Sequence, residues 1–207
     1  MKACELPDGF VYIDDIIKDC IIDAKYAGAD NFLGRPAAGY EGPYVVASRA
    51  CAEGCKKAAD ILRPKGYLLK FFDACRPQRA VDDFAKWAKD KTDTARKHIH
   101  YPNIEKSRLF PLGYIAEKSS HTRGASVDLT LCDAATKREL DMGTVFDFMD
   151  EASWETAQGL TRYQQRNRLI LRCAMLACGF LPYEREWWHF GLEREPYPDT
   201  YFDFVVK

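Results

Sequence analysis

SSHTRGASVDLTL, residues 119–131, is the stretch that decides the fold, because it joins a glycine-containing turn to an apolar strand. Residues 127–131 have the apolar character of a strand, and Gly124 permits the tight turn between His121 and that strand. Within the strand, the Asp128 carboxylate is unfavourable unless it is paired or bound to a metal. A buried salt bridge or a solvated edge would also explain Asp128, and an isolated histidine is more often a surface residue than a ligand. As a pair, the two residues favour a metal site.

A second motif, EWWH at residues 186–189, supplies another carboxylate and another imidazole. Two histidines and one aspartate are a complete set of protein ligands for a catalytic zinc, which keeps its fourth position for water. Glu186 would then be the base that takes a proton from that water. Residues three apart face opposite sides of a flat strand, so Glu186 and His189 can share one metal only at a bend, a bulge or a strand end. Together the motifs predict a metallopeptidase.

The remaining sequence contains both helical and strand patterns. Segments with apolar residues at helical spacing are residues 48–62, 77–91 and 161–176. Segments with the composition of strands are residues 67–72, 127–131 and 180–192. Residues 92–118 are polar and irregular, so His98 and His100 are expected in a loop and are expected to be dispensable for metal binding. We expect an α+β fold with a small, mainly antiparallel sheet, helices packed on one side and the zinc site at the sheet centre.

Composition excludes several classes of function. With 207 residues the chain can form one substantial core, so residues 1–207 are expected to be a single domain. The net charge of −1 provides no field that would recruit nucleic acid or an anionic membrane. No apolar run approaches the ~20 residues of a bilayer span, and the N-terminus lacks the apolar region of a signal peptide. Eight cysteines without a Cys-x-x-Cys pair favour small buried thiols over disulfide or metal roles. We therefore expect a cytoplasmic protein; its oligomeric state is not encoded in any motif.

These motifs resemble the D-alanyl-D-alanine dipeptidases of the VanX type, which belong to a larger clan of zinc D,D-peptidases. The resemblance lies in Ser-x-His-x-x-Gly-x-x-x-Asp followed by Glu-x-x-His, and in the upstream Arg-Pro-Gln-Arg at residues 76–79. It extends to residues 25–34 and 142–148, and the motifs follow in family order over residues 10–192. The chain departs from the family pattern at Cys75, where a bulkier aromatic residue precedes the matching arginine. This departure implies a change in pocket shape and substrate range.

The resemblance implies one zinc ion per chain, bound by His121, Asp128 and His189, with Glu186 as the general base. It also implies that Arg76 polarises the scissile carbonyl and stabilises the transition state. A structural salt bridge is the other interpretation of an arginine at the end of a buried strand.

The implied substrate is the dipeptide D-Ala-D-Ala. By the resemblance, Asp147 and Tyr26 lie near its free ammonium and Ser119 near its carboxylate, whereas a helix N-cap is the other interpretation of Asp147. Two alternative functions stay open. A D,D-carboxypeptidase acting on cell-wall stem peptides would need an extracellular address, and an inactive zinc-binding domain would not need Glu186 and Arg76. The role in glycopeptide resistance, cell-wall recycling or nutrient use is open as well.

Overall fold

The computed structural model describes residue 2 and residues 5–207; Met1, Ala3 and Cys4, part of the segment expected not to be a signal peptide, lie outside the described residues. The strands are β1 (Phe10–Tyr12), β2 (Ile21–Ile22), β3 (Val46–Ser48), β4 (Tyr67–Asp73), β5 (Ser126–Asp133), β6 (Phe180–Tyr183) and β7 (Glu186–Leu192). The helices are α1 (Ile13–Ile16), α2 (Arg49–Leu62), α3 (Gln78–Lys89), α4 (Lys97–His100) and α5 (Arg162–Leu176).

The central sheet has five strands in the order β2-β4-β5-β7-β6. Strand β2 runs parallel to β4, and the other neighbouring pairs are antiparallel. Strands β1 and β3 form a separate antiparallel pair. This arrangement confirms the expected small, mainly antiparallel sheet. Strand β5, which carries Asp128, is its middle strand.

Helices α2 and α5 contact each other and pack on one face of the sheet, as expected. Small residues of α2 allow the close approach, since a Cβ added at Gly54 would lie 2.8 Å from the ring of Phe180 on β6. Side chains alternate along β5, so Val127 and Leu129 point to the helices and Asp128 points to the other face. That other face is therefore free to form a pocket.

The ends of the helices follow the signals in the sequence. Ser48 caps α2 by accepting a hydrogen bond from the backbone N–H of Cys51, and Gly66 ends the following turn in the left-handed region. Thr161 and Gln164 form the complete capping box of α5. These local signals fix where the helices begin and end relative to the strands.

The expectation that His98 and His100 lie in a loop was wrong. Residues 92–118 contain α4 and a 3-10 turn, Lys106–Arg108, and His100 at the end of α4 is only 4% exposed. The ring of His100 lies 6.5 Å from the ring of Phe32, so this histidine of an otherwise polar segment makes a tertiary contact. His98 is exposed.

The cysteines and the helix lengths give two further observations. Cys51, Cys55, Cys75 and Cys132 are buried free thiols, and the described cysteines form no disulfide among themselves.

None of the helices in the described part of the chain combines the length and the hydropathy that a membrane span requires.

Candidate metal centre and active site

Neighbouring strands bring Asp128 and His189 together. The two residues are direct partners in the antiparallel pairing of β5 with β7. The Asp128 carboxylate is buried, and one of its oxygens lies 3.1 Å from His189 Nδ1. The middle of the sheet thus provides two potential metal ligands on rigid backbone.

His121 comes from the 3-10 turn Ser120–Arg123, which leads into β5. Ser119 begins this turn by accepting a hydrogen bond from the His121 N–H, and Gly124 ends it at a φ of 70°. A Cβ at Gly124 would lie 2.6 Å from the Phe10 ring, so both conformation and packing favour glycine here. His121 Nδ1 donates to the Ala74 carbonyl at 2.7 Å, which leaves the Nε2 lone pair free for a metal.

The three side chains converge on one point. One ligand atom each from His121, Asp128 and His189 lies within 4.8 Å of the others. His121 Nε2 is 3.0 Å from His189 Nδ1 and 3.3 Å from an Asp128 oxygen. Burial alone would raise the pKa of Asp128, but the charges and hydrogen bonds of the two histidines outweigh it and hold that pKa below its usual range. The cluster is therefore a possible metal-binding site with an ionised carboxylate.

A bulge in β7 brings Glu186 to the same pocket as His189. Pro182 of β6 pairs with Phe190, whereas Tyr183 pairs with Glu186, so β7 bulges over residues 187–189. This irregularity was required by the three-residue spacing of the motif. Burial raises the pKa of Glu186 to about 7, and the nearby charge of Asp128 adds to the shift. A carboxylate with such a pKa can accept and release a proton near neutral pH.

Arg76 follows β4 and lies beside the Asp128 carboxylate. Its Nε donates to Asp73 at 2.9 Å and its Nη2 donates to Asp128 at 3.2 Å. Its guanidinium also lies over the Tyr26 ring, 4.9 Å from the centroid. The salt-bridge interpretation of Arg76 and its position in the pocket are thus both borne out by the geometry.

Asp73 is a residue that sequence reasoning missed. Its carboxylate is buried, accepts from Arg76, and accepts from the Tyr40 hydroxyl at 2.6 Å. The signal was present, since Asp73 ends the apolar strand β4 in the same way that Asp128 interrupts β5. Asp73 therefore holds the guanidinium of Arg76 from behind the pocket.

Tyr26 and Asp147 lie on the other side of the pocket. The Tyr26 hydroxyl donates to the Asp147 carboxylate at 2.8 Å, and both side chains are buried. Burial and the negative charge of Asp128 hold the pKa of Asp147 well above its usual range. Asp147 lies in a turn at a φ of 57°, not at a helix start, so the N-cap interpretation is wrong.

A single pocket of about 250 Å³ is lined by all eight residues that the sequence motifs single out: Tyr26, Arg76, Ser119, His121, Asp128, Asp147, Glu186 and His189. Cys75 is buried and does not line this pocket. The departure from the family pattern at Cys75 thus lies behind the pocket wall.

Comparisons with known proteins show which family this chain belongs to. A family model described as D-ala-D-ala dipeptidase matches residues 7–207. The chain belongs to this family of peptidases. It is 43% identical to the D-alanyl-D-alanine dipeptidase of Enterococcus faecalis, over 98% of this chain and all of that protein. It is 42% identical to the dipeptidase of the same name from Streptomyces coelicolor, over 95% of this chain and 98% of that protein.

Among solved structures, a mutant of the vancomycin resistance D,D-pentapeptidase VanY in complex with Zn(II) aligns with 71% of the present chain at 13% identity. The TM-score of that alignment is 0.42, and it covers 72% of the VanY chain.

Proposed function

We propose that residues 1–207 form one zinc-dependent D,D-dipeptidase domain that hydrolyses D-Ala-D-Ala. The observation that supports this proposal most strongly is the convergence of the His121, Asp128 and His189 ligand atoms beside the partly buried carboxylate of Glu186. The names of the full-length relatives supply the substrate. The pocket is small, as a dipeptide site should be, and both of its ends have polar groups.

The donor set fits one zinc ion per chain. Two imidazole nitrogens and a carboxylate oxygen are ligands that zinc accepts, and three of them leave a fourth position open. The His121 proton is held on Nδ1 by the Ala74 carbonyl, so Nε2 faces the site as a lone pair. When bound, zinc would supply a water of lowered pKa and would polarise the scissile carbonyl.

Glu186 and Arg76 perform the chemistry around that ion. Glu186 accepts the proton of the attacking water and delivers it to the departing amine, a transfer that suits a pKa of about 7. Arg76 points its guanidinium at the place where negative charge develops on the carbonyl oxygen, while Asp73 keeps it in position. The low exposure of the site strengthens both effects.

The two ends of the dipeptide are held by different groups. Asp147, hydrogen-bonded by Tyr26, pairs with the free ammonium, and this cation relieves an unfavourable buried carboxylate. Ser119, at the start of the turn that carries His121, lies in the same pocket and binds the substrate carboxylate. Longer peptides lack the ammonium at this position, so the pocket selects dipeptides.

The free ammonium should be essential for rapid turnover. A substrate without it forms no ion pair with Asp147, and the loss of one partner of a buried pair costs about 3–5 kcal/mol. We therefore expect kcat/KM for D-Ala-D-Ala to exceed that for N-acetyl-D-Ala-D-Ala by roughly 10²–10⁴-fold. In the Asp147→Asn variant, the ratio of the two kcat/KM values should be smaller. Equal rates for the two substrates on the wild-type protein would contradict the dipeptidase proposal and favour a D,D-carboxypeptidase.

Substitution of Arg76 by alanine should lower kcat by about 10²–10³-fold, as the loss of an oxyanion donor does. The effect on KM should be smaller, because the partner charge develops chiefly in the transition state. Arg79→Ala is a matched control, since Arg79 belongs to the same motif but pairs with Asp203 on the surface. The contrary outcome is an Arg76→Ala protein that loses zinc but shows the wild-type kcat once it is reloaded with zinc. Arg76 would then be only a structural partner of Asp128.

A further inference from the structure

Asp147 is carried by an irregular segment, residues 142–154, which we call the Asp147 segment. It contains the 3-10 turn Glu151–Ser153 and otherwise consists of turns and bends. The φ of 57° at Asp147 lies in the left-handed region, which residues with a Cβ adopt less readily than glycine does. Such a conformation persists only where surrounding contacts determine it. The groups that hold this segment therefore control where the Asp147 carboxylate lies.

Arg168 of α5 ties both ends of the Asp147 segment together. Its Nε donates to the Met142 carbonyl at 2.6 Å, Nη2 donates to Ala152 at 2.9 Å, and Nη1 donates to Trp154 at 3.0 Å. Arg168 is 9% exposed, and the acidic residue whose charge acts on it is Asp141. Its guanidinium also lies 5.9 Å from the centroid of the Trp187 ring. A buried cation that is bound mainly by backbone carbonyls is costly unless those carbonyls stay in place.

His100 holds the middle of the same segment. Its Nδ1 donates to the Asp147 carbonyl at 3.2 Å, and its own carbonyl accepts from Met149 N–H at 2.7 Å. Burial lowers the pKa of His100 to about 4, so the ring is neutral and its single proton lies on Nδ1. The contacts on both sides of Asp147 fix the direction in which its side chain leaves the backbone.

We propose that Arg168 and His100 are positioning residues that aim the Asp147 carboxylate at the substrate ammonium, an inference that rests on the proposed dipeptidase function. Neither residue lines the pocket. Arg168 joins the two ends of the Asp147 segment by hydrogen bonds, as the ends of a compact loop are joined, and His100 binds the turn at its centre. Displacement of a binding group by ~1 Å from outside the site can cost about 10²-fold in rate.

Arg168→Lys tests the first contact, because one ammonium cannot reach carbonyls at both ends of the segment. We expect kcat/KM for D-Ala-D-Ala to fall by about 10²-fold. The loss should lie mainly in KM, since the ammonium is paired in the ground state as well as in the transition state. Arg172→Lys is the matched control, because Arg172 lies one turn further along α5 in a surface ion pair with Glu155. Zinc content should equal the wild-type value in both variants.

A double-mutant cycle separates positioning from general stability. In the Asp147→Asn background, Arg168→Lys should cause no further loss, because the carboxylate that it positions is gone. Additive losses would overturn the inference. If Asp147→Asn lowers kcat/KM and Arg168→Lys does not, the positioning role alone is refuted. If Asp147→Asn itself has no effect, the proposed ammonium site is refuted, and the inference fails with it.

His100 provides a second test that does not depend on Arg168. His100→Phe keeps a buried ring and removes the donor, so we expect kcat/KM to fall about tenfold, the equivalent of one hydrogen bond. His100→Asn places an amide N–H where Nδ1 lies and should restore the wild-type value. Equal kinetics of the two variants would show that the hydrogen bond to Asp147 does not position it.

Discussion

Glu186→Gln is expected to keep its zinc and to lose kcat by about 10²–10⁴-fold, the usual contribution of a general base. The glutamine amide has nearly the same shape as the carboxylate but cannot accept the proton of the attacking water. Since Glu186 lies beside the three metal-facing side chains and is not one of them, coordination should be unaffected. Steady-state kinetics on D-Ala-D-Ala, combined with elemental analysis of the same preparation, measures both properties.

Glu184→Gln is the matched control for this experiment. Glu184 belongs to the same hairpin, but its side chain is 76% exposed and is paired only loosely with Arg185. It should retain wild-type kinetics. A Glu186→Gln protein that turns over at nearly the wild-type rate, or that is purified without zinc, would refute the role of Glu186 as a base beside the metal.

His121→Ala and His189→Ala should each reduce bound zinc from one ion per chain to a small residual fraction and abolish turnover. Each histidine supplies one of three converging ligand atoms, and two protein ligands hold zinc poorly. Bound metal stabilises the folded state by mass action. A chelator should therefore lower the Tm of the wild-type protein and leave the Tm of either variant unchanged, which gives a readout that is independent of activity.

His98→Ala is the control for the metal experiment, since His98 is an exposed histidine on α4 away from the cluster. It should retain one zinc ion per chain and the chelator-sensitive Tm. Full zinc content in a folded His121→Ala or His189→Ala protein would show that the assignment of that ligand is incorrect.

The parts of the fold that could be predicted are those whose signals are local. The capping box of Thr161 and Gln164, the apolar run of β4 and the helical spacing of α2 each depend on residues close in sequence. The same holds for the turn that ends at Gly124. Strands β1, β2 and β3 contain only two or three residues each, too few for a periodic pattern to be visible.

The parts of the site that could not be predicted depend on contacts between distant residues. His100 lies 47 residues from the carbonyl that it binds, and nothing in its polar neighbourhood indicates burial. Arg168 lies in a helix with several other arginines, and only the fold distinguishes it from the exposed Arg172. Asp147 has the sequence context of a helix cap, but the segment that it belongs to is shaped by Arg168 and His100 instead.

The carboxyl groups of Asp147 and Glu186 share one pocket with Asp128, whose negative charge, together with burial, disfavours their ionised forms. Without metal and substrate, these acidic groups lower the free energy of unfolding, because neutral side chains of similar shape would pack in the pocket without repulsion. In a lineage released from selection for activity, Asp147→Asn and Glu186→Gln would be favoured by folding alone, whereas Asp128 stays stabilised by its pairs with Arg76 and the two histidines. Descendants that lose the activity would thus gain a higher Tm as these acidic side chains are replaced.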